Sequence, residues 1–374
     1  MGDMLMESKK KKVIHVLGLS SIYSGNIVPS LVKLAKELSK NNMELAFIFP
    51  YAANDKEWCK MLEEEYSVYY IPQKQFSIST VYQLKKIFRI ENPDIIHTHH
   101  DYYDIPVTIA APKKSKIIWH FHNSTTLLEN GIKRKLKKKV HYGIIGKKAW
   151  LISVSEYYRN LVIEEGFSKD KTITILNGID FSRLDNKIKQ SKSDKSKKII
   201  LAFGHPPLVK GIDLLLNACE SIITLNKSFE LWLVFSEEVD LKFIRERYGN
   251  NCPEWLVIKP PVTNIKDYYL SSDIFISPSR YETFSYSVAE AVYCGLPVIS
   301  SNIPGLEWAH NIQNVKFFES ENVEQLIDVI CDTLFEKLDI NEKSTNQSIA
   351  YVTEKLSLEI WASEIIDFYS SNSK

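Results

Sequence analysis

Residues 277–305 read SPSRYETFSYSVAEAVYCGLPVISSNIPG, and the fold follows from how this stretch is read. The apolar residues 273–277 spell a strand that stops at Pro278. A loop follows, then a short helix whose N-cap is expected at Ser285 or Ser287. Gly295 and Pro297 end that helix, with glycine where the chain favours a left-handed residue. Residues 298–301 spell the next strand. Such a strand–loop–helix–strand unit delivers backbone N–H groups and a helix N-terminus to one spot, which suits phosphate. Two carboxylates, Glu282 and Glu290, bracket it.

At 374 residues the chain exceeds what one hydrophobic core usually supports, so two domains are expected. Its 44% hydrophobic and 25% charged residues are those of an ordinary globular protein. A net charge of +1 gives no global reason to bind nucleic acid, and none is expected as a partner. Five cysteines with no CxxC or CxxH spacing argue against a disulfide framework or structural zinc, and fit a reducing cytosol. No apolar run approaches the roughly 20 residues that span a bilayer. The lysines at 9–12 followed by apolar residues 13–19 imitate a signal peptide. His15 interrupts that run and no small-residue cleavage site follows, so it is read as the first strand. The expected location is cytoplasmic, with any membrane contact peripheral, at the inner face.

From that strand onward the pattern alternates. Residues 28–39 carry apolar side chains at helical spacing, and 44–49 return as a strand. The same reading gives strands at 68–71, 94–97, 117–120, 149–154 and 173–176, with helices between them. Residues 185–198, DNKIKQSKSDKSKK, have no apolar periodicity and read as a linker. Alternation then restarts at 198–203 and runs through the opening stretch to a helix at 323–338, with one last amphipathic helix at 357–369. Two βα-repeating halves imply two Rossmann-like domains, 1–184 and 199–352.

Lys210 stands just before a helix N-terminus, where its ammonium and the helix dipole would both attract phosphate, although a solvated lysine has the same spacing. His205 shares that loop. Glu282 follows a strand end beside Arg280 and Tyr281, and a carboxylate there could accept hydrogen bonds from sugar hydroxyls. Ser287 and Glu290 have the spacing of a capping box, so a structural role for Glu290 weighs as much as a binding one. His97, His99, His100, His120 and His122 gather after two strands. HTHHD invites a metal reading, yet the nearest acids are only Asp101 and Asp104, and metal-free hydrogen bonding suits these histidines equally. Lys133 and Lys139 bound a run, KRKLKKK, that is either a solvated helix face or a contact for an anionic membrane surface.

Taken in order, these residues resemble the retaining family 4 glycosyltransferases of the GT-B fold, in which two Rossmann-like domains face a central cleft. Glu282 and Glu290, with Ala291 and CGLPVISS after them, look like the family's E-x7-E and AxxxGxPV signatures. VKGIDLLLNA, VSEYYRNLV, ILNGIDFSRL, NPDIIHTHH and WHFHNS add to the match, which covers most of the chain. The terminal YVTEKLSLEIWASEII resembles the helix that crosses back to the N-terminal domain, which assigns 353–374 to that domain.

The resemblance implies that Lys210 holds the donor diphosphate and Glu282 the donor-sugar hydroxyls. It puts the backbone of Thr283, Phe284, Ser285 and Tyr286 at the phosphates and Glu290 at the ribose. Gly25 matches the glycine of the first loop, and His122 the histidine near the reacting centre. Two departures stand out: His205 replaces the usual arginine, and Thr283 and Ser285 replace usual glycines.

The implied activity is metal-independent, retaining transfer of a hexosyl group from a nucleotide-diphosphate sugar, with no cofactor. The implied acceptor is a saccharide or lipid-linked saccharide of cell-surface polysaccharide assembly. Three rivals share the residues: a nucleotide-sugar epimerase of the same fold, a metal-dependent hydrolase built on the histidines, and a non-catalytic nucleotide-sugar-binding protein.

Overall fold

The computed structural model describes residues 10–371 apart from 23–24, 74–75, 123–131, 185–196, 226–227, 236–237, 250, 263 and 336–340. Most of the expected linker, 185–196, lies outside the described residues, as do residues 1–9. The chain divides into two compact units, Met1–Gly178 with Leu358–Lys374, and Ile179–Ser357. The division lies earlier than the expected 184 because Ile179 already bonds within the second unit. Its N–H donates to the Leu356 carbonyl at 2.7 Å, and it bridges to Ser357.

In the first unit the strands are β1 (Lys11–Leu17), β2 (Met43–Pro50), β3 (Ser67–Ile71), β4 (Ile95–His99), β5 (Lys116–Phe121), β6 (Trp150–Ser153) and β7 (Thr172–Thr174). They form one sheet in the order β3-β2-β1-β4-β5-β6-β7, with every pairing parallel. Parallel strands need crossovers, and these are the helices that the apolar spacing predicts. Helix Ile27–Lys40 buries Leu31, Leu34, Ala35 and Leu38 on one face against the sheet. The C-terminal helix Leu358–Ser370 packs on the same core through Trp361, Ala362, Ile365 and Tyr369. The chain therefore does return to its first unit.

The second unit contains β8 (Lys198–Phe203), β9 (Phe229–Val234), β10 (Leu256–Lys259), β11 (Ile274–Ser277), β12 (Val298–Asn302) and β13 (Val315–Glu319). Their order is β10-β9-β8-β11-β12-β13, again parallel throughout. Strand order reverses between β8 and β11, so the loops leaving these two neighbours diverge and open a crevice at their carboxyl ends. Lys210 follows β8 and Glu282 follows β11.

Among the described residues, helices Glu57–Glu65 and Glu342–Leu356 and strand β13 escape the periodicity reading, as do short 3-10 helices such as Pro304–Ala309. Helix Glu342–Leu356 is polar and is held by an Asn341–Ser344 capping box. The segment carrying the basic run is an α-helix over Ile132–Lys138, and Lys139–Ile145 is wound as a π-helix. Its charge is not all on a solvated face. Lys138 is 4% exposed with Nζ 3.4 Å from Glu165, whereas Lys135, Lys137 and Lys139 are exposed, as is Leu136. The side chains of Lys133 and Arg134 lie outside the described residues.

Candidate active site

Helix Tyr286–Tyr293 begins at N-cap Ser285, which is left-handed (φ 65°) and makes no side-chain cap. With the cap at Ser285 rather than Ser287, Glu290 falls beyond the third helical position, and the capping-box reading fails. Its carboxylate instead accepts from Tyr269 Oη at 2.9 Å and from the Arg183 guanidinium. Glu290 is 4% exposed, so this pairing compensates a buried charge. Burial pushes the Tyr269 phenol up, and the Glu290 charge pushes it further. The C-terminus ends as expected: Gly295 is left-handed, and the Gly295 and Leu296 N–H groups donate to Val292 and Ala291 in a Schellman pattern.

The Lys210 ammonium donates to Glu282 Oε1 at 2.5 Å, and Ser279 Oγ donates to the same oxygen at 3.0 Å. Both side chains keep some exposure, 24% for Lys210 and 12% for Glu282. Thus a cation and a carboxylate from two different loops meet at the crevice, with Thr283 to Tyr286 leading on into the helix. Phe284 contributes only backbone here. Its ring is buried against Trp308, whose indole N–H already donates to the Phe284 carbonyl at 2.7 Å.

Two glycines bring these loops together. A Cβ on Gly211, which has φ +63°, would lie 1.9 Å from the Pro278 carbonyl oxygen, and one on Gly305 would lie 2.0 Å from that of Glu282. Gly305→Ala should therefore push the Glu282 backbone out of place. The expected results are a raised donor KM and a loss of about 1–3 kcal/mol of stability, the usual range for overpacking. Denaturant unfolding and initial-rate kinetics check both.

His205 Nδ1 lies 2.9 and 3.1 Å from the two oxygens of Asp240, which is fully buried. A carboxylate behind Nδ1 fixes the orientation of the ring. Arg280, next to Glu282 in sequence, is instead a structural clamp. It makes paired bonds of 2.7 and 2.8 Å to Asp213, and bonds Glu321 as well. Burial alone would push the Asp213 carboxyl up, but Arg280 brings it below the usual carboxylate range.

In the first unit Gly25 is left-handed (φ +56°), with open space around its Cβ position. The histidines line up because strand side chains alternate and register partners share a face. His15 pairs with His97, and His99 with His120. Their rings form a chain with Tyr369. Its hydroxyl lies 2.8 Å from His15 Nε2 and 2.5 Å from His97 Nδ1. His15 Nδ1 meets His99 Nε2 at 2.8 Å, and His99 Nδ1 meets His122 Nε2 at 2.9 Å. His122 Nδ1 pairs with Asn177 Oδ1 at 3.1 Å, and His97 Nε2 with His120 Nδ1 at 3.1 Å.

Burial holds the basicity of all these rings well below ordinary histidine, with His15 lowered to about 3. Both nitrogens of His122 are thus engaged inside the protein, and its ring also faces His100 at 5.1 Å. His15, Tyr369, Tyr269 and Asp240 carried no recognisable motif, and Arg183 and Ser279, although inside ILNGIDFSRL and the opening stretch, were given no role. The one available signal was His15 breaking an apolar strand.

Two parallel doubly wound units, with a lysine–glutamate pair at the switch point of the second, define the architecture of a GT-B glycosyltransferase. Comparison with known proteins agrees. The model for "Glycosyltransferase Family 4" matches residues 28–183, and that for "Glycosyl transferases group 1" matches 197–335. The chain belongs to this group 1/family 4-like glycosyltransferase family.

Among curated relatives it is 23% identical to the capsular polysaccharide biosynthesis glycosyltransferase CapM of Staphylococcus aureus, over 97% of this chain and 98% of that one. It is 26% identical to an uncharacterized 41.2 kDa protein in the cps region of Klebsiella pneumoniae, where the match spans 59% of this chain and 63% of that protein. Among solved structures, a glycosyltransferase from Rickettsia africae superposes with TM-score 0.79 at 20% identity, covering 98% of this chain and all of that one. HepE from Anabaena, solved with UDP and glucose, superposes at 0.74 with 17% identity over 97% and 100% of the two chains. Among the described residues no helix is long and apolar enough to cross a membrane.

Proposed function

We propose that this protein transfers a hexosyl group, with retention of anomeric configuration, from a nucleotide-diphosphate sugar to a saccharide or lipid-linked saccharide acceptor in capsule or exopolysaccharide assembly. The observation that carries the reading is the meeting of Lys210 and Glu282. An ammonium and a carboxylate in one partly exposed spot match the two ends of such a donor, whose diphosphate is anionic and whose sugar offers hydroxyl donors. The diphosphate would displace Lys210 from Glu282 and take the ammonium, while Glu282 turns to the sugar.

Charge that develops on the departing diphosphate is stabilised by Lys210, by His205 with Asp240 behind it, and by the N–H groups that open helix Tyr286–Tyr293. These groups supply the positive charge without a metal or a cofactor. Glu290 meets the ribose once Arg183 yields it. Gly25 and His122 remain the candidate residues of the first unit, and His122 would have to release His99 or Asn177 to act. CapM and the cps-region relative support the polysaccharide setting. HepE, found with UDP and glucose, supports a uridine nucleotide sugar as the first donor to try.

Exposed Lys135, Lys137 and Lys139 around exposed Leu136 suit a peripheral contact with an anionic membrane surface, where a lipid-linked acceptor would be met. These exposed side chains support the reading of a cytoplasmic protein working at the inner face of the membrane.

A thermal-shift screen against nucleotide sugars tests the donor. The true donor should raise the midpoint, since saturation at 100 times Kd adds about 2.7 kcal/mol. NMR of the product then reads the anomeric configuration. Conversion of the donor to its epimer with no acceptor present would favour the epimerase reading instead.

A further inference from the structure

We propose that His99, His120 and His122 form a binding site for one divalent transition-metal ion of the zinc class. One ring nitrogen from each of the three lies within 4.8 Å of the others. In a tetrahedral zinc site with Zn–N about 2.0–2.1 Å, ligand nitrogens stand roughly 3.3–3.4 Å apart, so small side-chain rotations close the set. His120 Nε2 is the second observation. It is a buried nitrogen on a side chain 1% exposed, and among the described residues it has no hydrogen-bond partner. A buried orphan nitrogen costs free energy unless something satisfies it, and a coordinated ion does so.

The outer shell is in place. Imidazole ligands bind best when the other ring nitrogen is anchored. Here His122 is anchored by Asn177, His99 by His15, and His120 by His97. Neutral imidazoles alone suit zinc, cobalt, nickel or copper, and the absence of carboxylate donors disfavours magnesium and calcium. Asp104 is turned elsewhere, to Thr98 and His141.

The other trio, His15, His97 and His99, is less suited, because both ring nitrogens of His97 are paired outside it, to Tyr369 and His120. At the proposed site the ion replaces the single proton shared between His99 and His122. Three nitrogen–metal bonds form while that proton passes from the coordinating nitrogen of its ring to the ring's other nitrogen, one N–H bond breaking and one forming, so every ligand stays a neutral imidazole. Binding is read without any activity, so the site stands or falls separately from the transfer reaction.

The test uses the full chain without a histidine tag, stripped with chelator. Calorimetry with zinc should give one ion per chain. Cobalt should give the visible absorption of a four-coordinate site, and copper an electron paramagnetic resonance spectrum coupled to imidazole nitrogens. His120→Asn should weaken zinc binding at least 10- to 100-fold, and His122→Asn serves if that variant does not fold. Absence of binding at micromolar zinc, copper spectra without imidazole coupling, or unchanged affinity in a folded variant would each overturn the site.

Discussion

Lys210→Ala is expected to lower transfer about 10²- to 10³-fold, equivalent to roughly 3–4 kcal/mol of transition-state stabilisation, as for loss of one preorganised group facing developing negative charge. The loss should appear mainly in kcat, because the leaving diphosphate is more strongly held in the transition state than in the ground state. Glu282→Ala removes charge-assisted hydrogen bonds to the sugar, worth about 1.5–3 kcal/mol each, and should also reduce transfer by orders of magnitude if two hydroxyls are held. Neither change should unfold the protein. Each side chain keeps some exposure, and Glu282 retains Ser279 when Lys210 is gone. Circular dichroism and thermal unfolding of both variants, beside initial rates, separate a damaged site from a damaged fold. Near-normal turnover in both would remove the pair from the donor site.

The second large effect is a loss of stability in acid. His15, His97, His99, His120 and His122 are buried, and burial favours their neutral forms. Histidine in the unfolded chain titrates near 6.5, while His15 in the folded protein titrates near 3. Between these values the unfolded state binds more protons, so stability rises with pH there. It is complete above about pH 6.5 and is lost as pH falls from there towards 3. By pH 5 His15 alone costs about 2 kcal/mol, a sizeable part of the 5–15 kcal/mol that holds a typical domain. Metal-free protein should therefore show a steep fall in thermal midpoint between pH 7 and 5, with uptake of more than one proton on unfolding. A flat midpoint across that range would mean that the histidines are already charged or solvated in the folded state.

Much of this was legible in the sequence because it rests on local rules. The parallel strands announce themselves as short apolar runs, and β8 begins and ends where the run of residues 198–203 does. Gly295 ends its helix as the left-handed residue that its position demands. The Lys210 and Glu282 loops follow β8 and β11, whose adjacency in the sheet the alternation alone does not give.

What stayed hidden depends on contacts distant in sequence. Arg183 reaches Glu290 across |i−j| = 107, and Tyr369 reaches His97 across |i−j| = 272, which no window of sequence reveals. The capping-box reading of Glu290 failed for a local reason. Ser285 took the left-handed N-cap, which shifted the helix frame and left Glu290 to be claimed by Tyr269 and Arg183. Helix Glu342–Leu356 was missed because its stability comes from a cap and from packing, not from an apolar stripe.

The most direct test of the account is acceptor-dependent release of nucleoside diphosphate. Purified protein would be supplied with a panel of nucleotide-diphosphate sugars, with and without a lipid-linked saccharide acceptor. The account predicts diphosphate release with one donor, coupled one-for-one to glycosylated acceptor and abolished by Lys210→Ala. Tight binding of a donor with no release under any acceptor would contradict it and leave a nucleotide-sugar-binding protein in its place.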